Sequence, residues 1–334
     1  MAQTFNGIRA YMTCMKRRGI YIVFFLLSPL FTFSQEMDNG ASYKDLPFER
    51  YFRLSYDNDF FTTTDEYYTQ GINMEIVSPS LRYNPFGKLD IHLKGGDNKY
   101  GIAVEHEGYT PRSIGDEQIL YNNHPYAGIL MLKSFSISDK PESGQQLYTS
   151  LDLGVIGPAT GAEQMQKGIH KALNNLQPGG WKNQIHNDAI VNYEASYEHK
   201  LFNTGHVFEL DANAAARAGT FSDRASLGMS FMLGYFNSPL SDNNDKSAFH
   251  AYLYEAPVIS AIAYDATLQG GMFNRTSPYT ITDAQLTRFV FENKSGIVVT
   301  YKSIYVEYYQ AYVSKTFSTG LIHQWGGLSF GVQL

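Results

Sequence analysis

A regular apolar/polar alternation in residues 52–76 constrains the fold more than any other feature of this sequence. It runs through Phe52 and Leu54, breaks at a polar tip and resumes as far as Ile76. Successive side chains of a β-strand point to opposite faces, so the pattern predicts two half-buried strands joined at the tip. One face of the second strand holds Thr69, Gly71, Asn73 and Glu75, and the other holds Ile72, Met74 and Ile76. A polar inner face with an apolar outer face is typical of a barrel whose exterior meets lipid.

The same alternation recurs along the rest of the chain. It is found at 100–106, 126–137, 147–156, 191–201, 206–216, 225–233, 249–263, 286–292, 297–313 and 321–334. With the first pair this makes about twelve strands, an even number as in bacterial outer-membrane barrels. We therefore predict an all-β fold, a single transmembrane antiparallel β-barrel over residues 48–334, preceded by a flexible leader at 35–47. A soluble β-sandwich or propeller is the alternative that the alternation alone leaves open.

The first 34 residues have the features of a secretory signal peptide. Basic residues at 16–18 precede an apolar run at 20–27, and Ser34 offers a cleavage point. The apolar run is too short to span a bilayer, and Met15 is a possible true start. The only cysteine, Cys14, lies in this segment, so the exported chain has no thiol for a nucleophile or a thiolate metal site.

Composition favours a membrane barrel and excludes a nucleic-acid partner. Aromatic residues make up 15% of the chain, with 25 Tyr and 22 Phe, while charged residues make up 17%. This enrichment suits strands in which every second residue faces acyl chains and aromatic girdles mark both interfaces. The net charge of −6 is the wrong sign for binding nucleic acid. We predict a monomer in the cell outer membrane.

Strand parity gathers unusual residues at one rim of the predicted barrel. If the chain enters from the periplasm, the odd-numbered connections face outside, where barrels carry their longer loops. The residues at that rim are Asn58, Asp59, Thr69, His124, Pro125, Tyr126 and the stretch 154–158. The even connections are expected to be short, as at 203–205 and 293–295, although a longer one at 88–98 does not follow from the pattern. The convergence predicts a functional site at the outer rim.

One segment, 161–176, has the periodicity of an amphipathic helix. Its apolar stripe consists of Met165, Ile169, Ala172, Leu173 and Leu176, and its polar stripe of Glu163, Gln166, His170 and Asn174. We expect the apolar side to rest on the barrel mouth or the bilayer. A single histidine on a loop helix is ordinarily a solvated surface residue. The position of His170 on the same rim as Asn58, Asp59 and Thr69 favours a catalytic role instead.

The side chains at this rim favour hydrolysis by an activated water. Acidic and amide oxygens without cysteine favour a hard, oxygen-preferring ion, and calcium is the natural candidate outside the cell. The run Asp57-Asn58-Asp59 is too short for an EF-hand loop and is also typical of an Asx turn. The G-x-S-x-G match at residues 327–331 lies inside the last predicted strand and not at the strand-to-helix turn of a nucleophile elbow, so a water activated by histidine is favoured over an acyl-enzyme.

Five motifs occur in one order along the first two thirds of the chain. They are Asn58-Asp59, Tyr68-Thr69-x-Gly71, Pro125-Tyr126-Ala127-Gly128, then Gly154-Val155-Ile156-Gly157-Pro158 followed by Glu163-Gln164-x-Gln166 and His170, and finally Gly180-Trp181-x-x-Gln184. Together they closely resemble the outer-membrane lipid A deacylase family, the lipid A 3′-O-deacylases. The resemblance implies a twelve-stranded barrel and calcium-dependent hydrolysis of an ester that attaches an acyloxyacyl group to the glucosamine disaccharide of lipid A.

The resemblance also implies roles for individual residues. It makes His170 the general base and Asp59 a calcium-site carboxylate. Asn58 and Thr69 become the polar groups that place the metal and the ester carbonyl. The substrate contacts that it implies are His124, Tyr126 and Gln166. A neutral imidazole can take a proton from water, while a divalent ion and amide or hydroxyl dipoles stabilise the oxyanion.

The chain departs from the family pattern at two positions. His124 stands where the family often has Arg before Pro-Tyr-Ala-Gly, and Leu176 stands where some members have an acid six residues after the histidine. A calcium shell in this chain would then be completed by Glu163, backbone carbonyls or water.

Two other functions stay open on the sequence alone. In a narrow channel or a structural barrel, Asn58, Asp59 and Thr69 would only line the lumen and bond neighbouring strands. An outer-membrane phospholipase would share the setting and the use of calcium, although its serine-centred motif is not found in this sequence.

Overall fold

Residues 46, 48–62, 67–241 and 247–334 are described by a computed structural model. The predicted signal peptide at 1–34, with Met15, lies outside the described residues, as does the leader except for residue 46. In the part of the chain that is described, the helices are all too short or too polar to cross a membrane.

Twelve antiparallel strands in the described residues close into one barrel. Each strand pairs with its neighbours in sequence, and β1 pairs with β12 to complete the ring. The strands are β1 Tyr51–Asn58, β2 Tyr67–Val77, β3 Asp97–Thr110, β4 Ala127–Lys140, β5 Gln145–Ile156, β6 Asp188–Thr204, β7 Phe208–Gly219, β8 Ser222–Tyr235, β9 Phe249–Asp265, β10 Phe289–Tyr301, β11 Ile304–Val313 and β12 His323–Gln333. The helices are α1 Ala162–Ala172 and α2 Ala266–Gln269, and short 3₁₀ turns occupy several connections. The predicted fold class is confirmed.

Alternation along the strands sorts polar side chains inward and apolar ones outward. Inside, Arg53 pairs with Glu75 at 2.8 Å and Lys133 pairs with Glu105 at 2.5 Å, and all four side chains are almost fully buried. Outside, apolar side chains at least 40% exposed ring the barrel, among them Leu54, Met74, Ile76, Leu132, Leu227, Leu253, Ile297 and Phe330. The belt is the surface that a transmembrane barrel offers to acyl chains.

The two ends of the barrel differ in the length of their connections. The odd rim, where odd-numbered connections lie, carries long segments at 111–126, 157–187 and 266–288. The even rim carries short turns, such as 141–144, 205–207 and 302–303. The longer connections at the odd rim and the shorter ones at the even rim agree with the predicted orientation of the barrel. Two longer connections at the even rim, 78–96 and 236–248, break this pattern.

Two predicted boundaries in the last third of the chain are wrong. The predicted turn at 293–295 lies inside β10, where these residues pair with both β9 and β11. The turn is instead at Lys302, with φ +52°, and Ser303, so the predicted strand 297–313 is divided between β10 and β11. Lys294 is buried inside the barrel. Asn293 and Ser295 share the outward parity of Ile297, and Asn293 Nδ2 donates to Glu255 Oε1 of β9 and to Ser295 Oγ, so this polar run lies within a paired strand and is not a turn.

Candidate functional site on the outer face of the odd rim

Asn58 ends β1 and fixes the first hairpin with both ends of its amide. It shares the outward parity of Leu54. Its Nδ2 donates to the Thr69 carbonyl at 2.7 Å and to the Tyr56 hydroxyl at 3.1 Å. Its Oδ1 accepts from the Phe60 N–H at 2.8 Å, which is the geometry of an Asx turn. Asn58 therefore forms the Asx turn and also lies at the rim of the barrel, as the sequence analysis predicts.

Asp59 and Thr69 flank the amide of Asn58. Asp59 begins the 3₁₀ turn Asp59–Thr62 and is buried, with 6% exposure. Thr69 lies where the pairing of β2 with β3 shifts register, between Tyr68 and Gln70. This bulge turns Thr69 away from the face of Asn73 and Glu75, where the alternation predicted it, to the outward side that Thr110 shares with Val104. The Thr69 hydroxyl lies 2.6 Å from the hydroxyl of Thr110 on β3.

Gln70, next to Thr69, is a residue that the sequence analysis missed. Its side chain is 2% exposed and lies over Gly108 of β3, where an added Cβ would come within 3.3 Å of Gln70 Cγ. The Nε2 of Gln70 is buried without a hydrogen-bond partner. A buried amide in this condition costs about 1–3 kcal/mol, so it needs an explanation. The sequence signal was weak, because Gln70 is the variable position of the Tyr-Thr-x-Gly motif.

Helix α1 begins against the outward side of β3 and β4 at the same rim. The N–H of Gly157 donates to the carbonyl of Gly128 at 2.8 Å. A Cβ on Gly128 would lie 2.4 Å from Thr160 Oγ1 and 2.6 Å from Ala162 Cβ, so glycine lets the helix start rest on the strand. His106 of β3 contacts the same segment, because its Nε2 lies 3.2 Å from the Thr160 carbonyl.

Three buried side chains hold the helix in place. The Trp181 indole N–H donates to Gln166 Oε1 at 2.6 Å, and the Tyr126 ring packs 5.0 Å from the Trp181 ring. The Tyr126 hydroxyl donates to the Ile114 carbonyl at 3.1 Å. Gln166 and Tyr126 are 1% and 5% exposed, so these contacts give them a role in positioning α1. The direct contact with substrate that the resemblance implies for them stays a prediction.

The imidazole of His170 is oriented by a backbone carbonyl. Its Nδ1 lies 2.6 Å from the Leu176 carbonyl. Because a carbonyl only accepts, Nδ1 carries the proton and Nε2 carries the lone pair. Leu176 therefore supplies, through its backbone, an orienting acceptor at the position where some family members have an acid. Helix α1 ends at Ala172, earlier than the predicted end at 176, because Asn174 leaves the helical conformation with φ +56°. Leu173 and Leu176 therefore lie just after the helix, where they are 65% and 67% exposed.

These residues share one side of consecutive strands. Asn58 lies on β1, Thr69 and Gln70 lie on β2, and the start of the helix that carries His170 lies against β3 and β4. All are at the odd rim and on the outward side of the wall. The arrangement is a surface between the barrel exterior and a helix, open to the bilayer.

His124 lies apart from this surface. Its ring stacks on that of Tyr109 at 5.3 Å and also packs against Tyr67 and Phe317, and it is 1% exposed. Tyr109 points into the lumen, so His124 helps to close the mouth of the barrel. Burial lowers the pKa of His124 to about 4, even though its Nδ1 lies 2.6 Å from the Pro125 carbonyl. A neutral buried ring offers no charge to a substrate phosphate, so its predicted substrate contact has no support from its position.

The oxygen donors at the rim suit a hard cation but form a sparse set. Asp59 is a buried carboxylate at the start of a 3₁₀ turn, whereas Glu163 Oε1 lies 2.6 Å from Lys167 Nζ of the same helix. Across the described ranges, no three His, Cys, Asp or Glu side chains come together as a metal cluster. Calcium accepts backbone carbonyls and water as ligands. Asp59 with such ligands fits calcium, and Glu163 would have to leave Lys167 to join them.

The comparison with known proteins identifies the family. The profile of outer membrane protein LpxR matches residues 20–334. The chain belongs to this family. Among solved structures, LpxR from Salmonella typhimurium superposes on this LpxR-family chain with a TM-score of 0.68 at 16% identity, over 85% of this chain and 100% of that one. No curated protein matches the sequence.

Other outer-membrane barrels are more distant from this LpxR-family protein. The β domain of the Bordetella autotransporter BrkA gives a TM-score of 0.45 at 9% identity, over 86% of this chain and 99% of that one. The translocator domain of autotransporter NalP from Neisseria meningitidis gives 0.45 at 11% identity, over 100% of both chains. Neither carries an argument at that score. The family and the closed barrel confirm the predicted resemblance, fold and outer-membrane location.

Proposed function

We propose that this LpxR-family protein is an esterase that removes an acyloxyacyl group from lipid A at the outward face beside α1. The observation that carries the proposal is the exterior position of the polar residues Asn58, Thr69 and Gln70 at the odd rim. A lipid in the outer leaflet can bring an ester to this face by diffusing along the wall. Leu173 and Leu176, exposed just after the end of α1, offer apolar contact to its acyl chains.

In the proposed reaction, His170 Nε2 takes a proton from water while the water oxygen attacks the ester carbonyl carbon. The ester C–O bond then breaks, the acyl group leaves as a carboxylic acid, and the imidazolium returns its proton to the sugar alkoxide. The carbonyl of Leu176 keeps Nδ1 protonated throughout. Negative charge develops on the carbonyl oxygen, and the amide N–H groups of Gln70 are donors suited to that place.

Calcium is part of the proposal as a resident ion at Asp59. When bound, such an ion would stabilise the developing oxyanion as a Lewis acid. We expect exhaustive chelation to remove most of the turnover and added calcium to restore it. Undiminished hydrolysis after chelation would exclude the ion while leaving the role of His170 in place.

The deciding experiment compares lipid A from cells that express wild-type protein, His170→Ala or His186→Ala. Mass spectrometry is expected to show loss of an acyloxyacyl group with wild type and with His186→Ala, and intact lipid A with His170→Ala. His186 is a matched control, because it lies at the same rim but bonds Thr276 instead of approaching α1. Heat-modifiable migration checks that each barrel is folded. Full deacylation by His170→Ala, or cleavage of phospholipid with lipid A unchanged, would contradict the proposal.

A further inference from the structure

Residues 78–96 connect β2 and β3 at the even rim. They do not extend away from the end of the barrel. They contain the 3₁₀ turns Pro79–Tyr83 and Pro85–Leu89 and lie against the outside of the wall. Asn84 Nδ2 donates to Ser134 Oγ of β4 at 2.7 Å, and the Leu93 N–H donates to Ser138 Oγ at 3.0 Å. The hydroxyl of Tyr193 on β6 donates to the Leu89 carbonyl at 2.8 Å. We call residues 78–96 the collar.

The wall beneath the collar differs from the rest of the barrel exterior. The outward side chains there are hydroxyls that are 0–5% exposed, namely Ser134, Ser136, Ser138 and Thr149. Elsewhere on the exterior most such positions hold apolar side chains, although Glu255, Asn293 and Ser295 form a polar group on β9 and β10. Backbone groups at membrane depth need partners within the protein, because lipid offers none. The hydroxyl wall supplies such partners to an irregular segment and would be unfavourable facing lipid directly.

The collar lies at the level of the lipid-facing belt. On one flank, Ile76, one residue before the end of β2, is 42% exposed. On the other flank, Leu201 and Phe202 near the end of β6 are 52% and 53% exposed. The collar also reaches Ser134, six residues above the lower end of β4, which is about 20 Å along the strand. The collar therefore covers the part of β3 to β5 where hydroxyl side chains interrupt the apolar belt.

The outer side of the collar combines apolar and cationic groups. Its exposed apolar side chains are Tyr83 at 74%, Leu89 at 56%, Ile91 at 55% and Phe86 at 38%. Its exposed cations are Arg82, Lys88 and Lys94, against the single carboxylate of Asp90. Long cationic side chains can lay their stems along apolar surface and keep their charge at the headgroup level. A net positive apolar surface in this position matches an anionic lipid.

We propose that the collar is a binding surface for anionic phospholipid in the leaflet at the even rim. Leu89, Ile91 and Phe86 enter the acyl region, and Arg82, Lys88 and Lys94 bind the headgroup phosphates. This surface is at the opposite rim from His170, so the proposal stands independently of the esterase.

Depth is tested with single spin labels on the chain from residue 35 onward, which has no native cysteine. Leu89→Cys is compared, in liposomes, with Leu227→Cys in the apolar belt and Tyr121→Cys in an odd-rim connection. We expect the label at 89 to be open to oxygen and closed to a polar nickel complex, as at 227. Accessibility to nickel equal to that at 121 would overturn the proposal, because the collar would then lie in water.

Headgroup preference is tested with spin-labelled phosphatidylglycerol and phosphatidylcholine. The wild-type barrel is expected to hold phosphatidylglycerol in its motionally restricted shell at least about twofold more strongly, since each cation near a membrane surface favours anionic lipid. The triple variant Arg82→Gln, Lys88→Gln and Lys94→Gln should bring the ratio close to one. The matched triple variant Lys171→Gln, Lys182→Gln and Arg275→Gln at the odd rim should retain it. Equal ratios in the wild type and the collar variant would refute the headgroup contact even if the label at 89 lies in lipid.

Discussion

At the scale of the residue, Gln70 is the position at which a catalytic role of the outward surface can be distinguished from a role in packing alone. Its buried Nε2 has no partner within the protein, so a ligand oxygen would satisfy it. We expect Gln70→Leu, which keeps the volume, to lower kcat about 10²-fold with little change in KM, because the donor acts on charge that develops in the transition state.

The control for Gln70 is Gln70→Glu, which has the same size but replaces donors with acceptors. It should be at least as impaired as Gln70→Leu. If Gln70→Leu turns over at the wild-type kcat, Gln70 is a packing residue and the oxyanion donor must be sought elsewhere.

His124 makes the rim sensitive to acid. Burial lowers its pKa to about 4, below the ordinary value near 6.5, so the unfolded chain takes up this proton before the folded one does. Stability is therefore retained above about pH 6.5 and lost as the pH falls toward 4, by about 1.4 kcal/mol for each pH unit. We expect His124→Gln to flatten this decline in urea titrations in detergent. Equal pH slopes for the two proteins would contradict it.

Residue types and spacing selected Asn58, Thr69 and His170 as candidates, because their motifs are polar interruptions at strand ends or on a helix face. They did not identify Gln70, since a glutamine between Thr and Gly looks like any strand residue until Gly108 is seen beneath it. They did not indicate that His124 is buried. A histidine in a polar loop suggests an exposed charge, and only the three-dimensional stack on Tyr109 shows that it is buried.

At the scale of the element, the contact between α1 and the wall decides whether His170 is held at the rim. Gly128 is the closest point of that contact. We expect Gly128→Val to push Thr160 and Ala162 off β4 and to lower turnover at least about tenfold, because a misplaced catalytic group loses orientation. Heat-modifiable folding should persist, since the strand pairing of β4 does not require glycine.

Gly168→Ala on the same helix is the matched control for Gly128→Val. A Cβ there meets no atom within 4 Å, and alanine favours the helix by about 1 kcal/mol over glycine. It should keep activity and raise the resistance of α1 to proteolysis. Wild-type turnover by Gly128→Val would show that the position of the helix does not depend on the contact at Gly128.

Strand boundaries were predicted correctly where apolar and polar residues alternate regularly. They were predicted wrongly where polar residues occur for another reason. Period two located most of the strands because lipid and lumen impose opposite polarity on successive residues. In β10 the polar run 293–295 resembles a turn in sequence, although Lys294 faces the lumen and Asn293 bonds Glu255 and Ser295 on the outward side of the paired strand. The hydroxyls of β4 had no explanation in sequence, because the collar that covers them comes from a connection 40 or more residues earlier.

At the scale of the whole molecule, the lumen is filled by side chains. Tyr68, Tyr309 and Trp325 point inward and are each 1% exposed, and the Tyr68 ring packs 4.7 Å from the Trp325 ring. The ion pair of Arg53 with Glu75 lies below them and is also buried. Water that filled a pore would reach these atoms. Their burial therefore argues against the channel that the sequence alone left open.

The last prediction follows from this filled lumen. In planar bilayers, the wild-type barrel should show no ohmic conductance steps, because the inward rings and ion pairs leave no continuous water path. Trp325→Gly with Tyr309→Ser removes two of the rings and should introduce small steps while the outer surface with His170 keeps its esterase activity. Since the proposed active face lies outside the wall, lumen and catalysis should respond separately. Regular conductance by the wild-type protein, or loss of hydrolysis in parallel with opening of the lumen, would place the function inside the barrel after all.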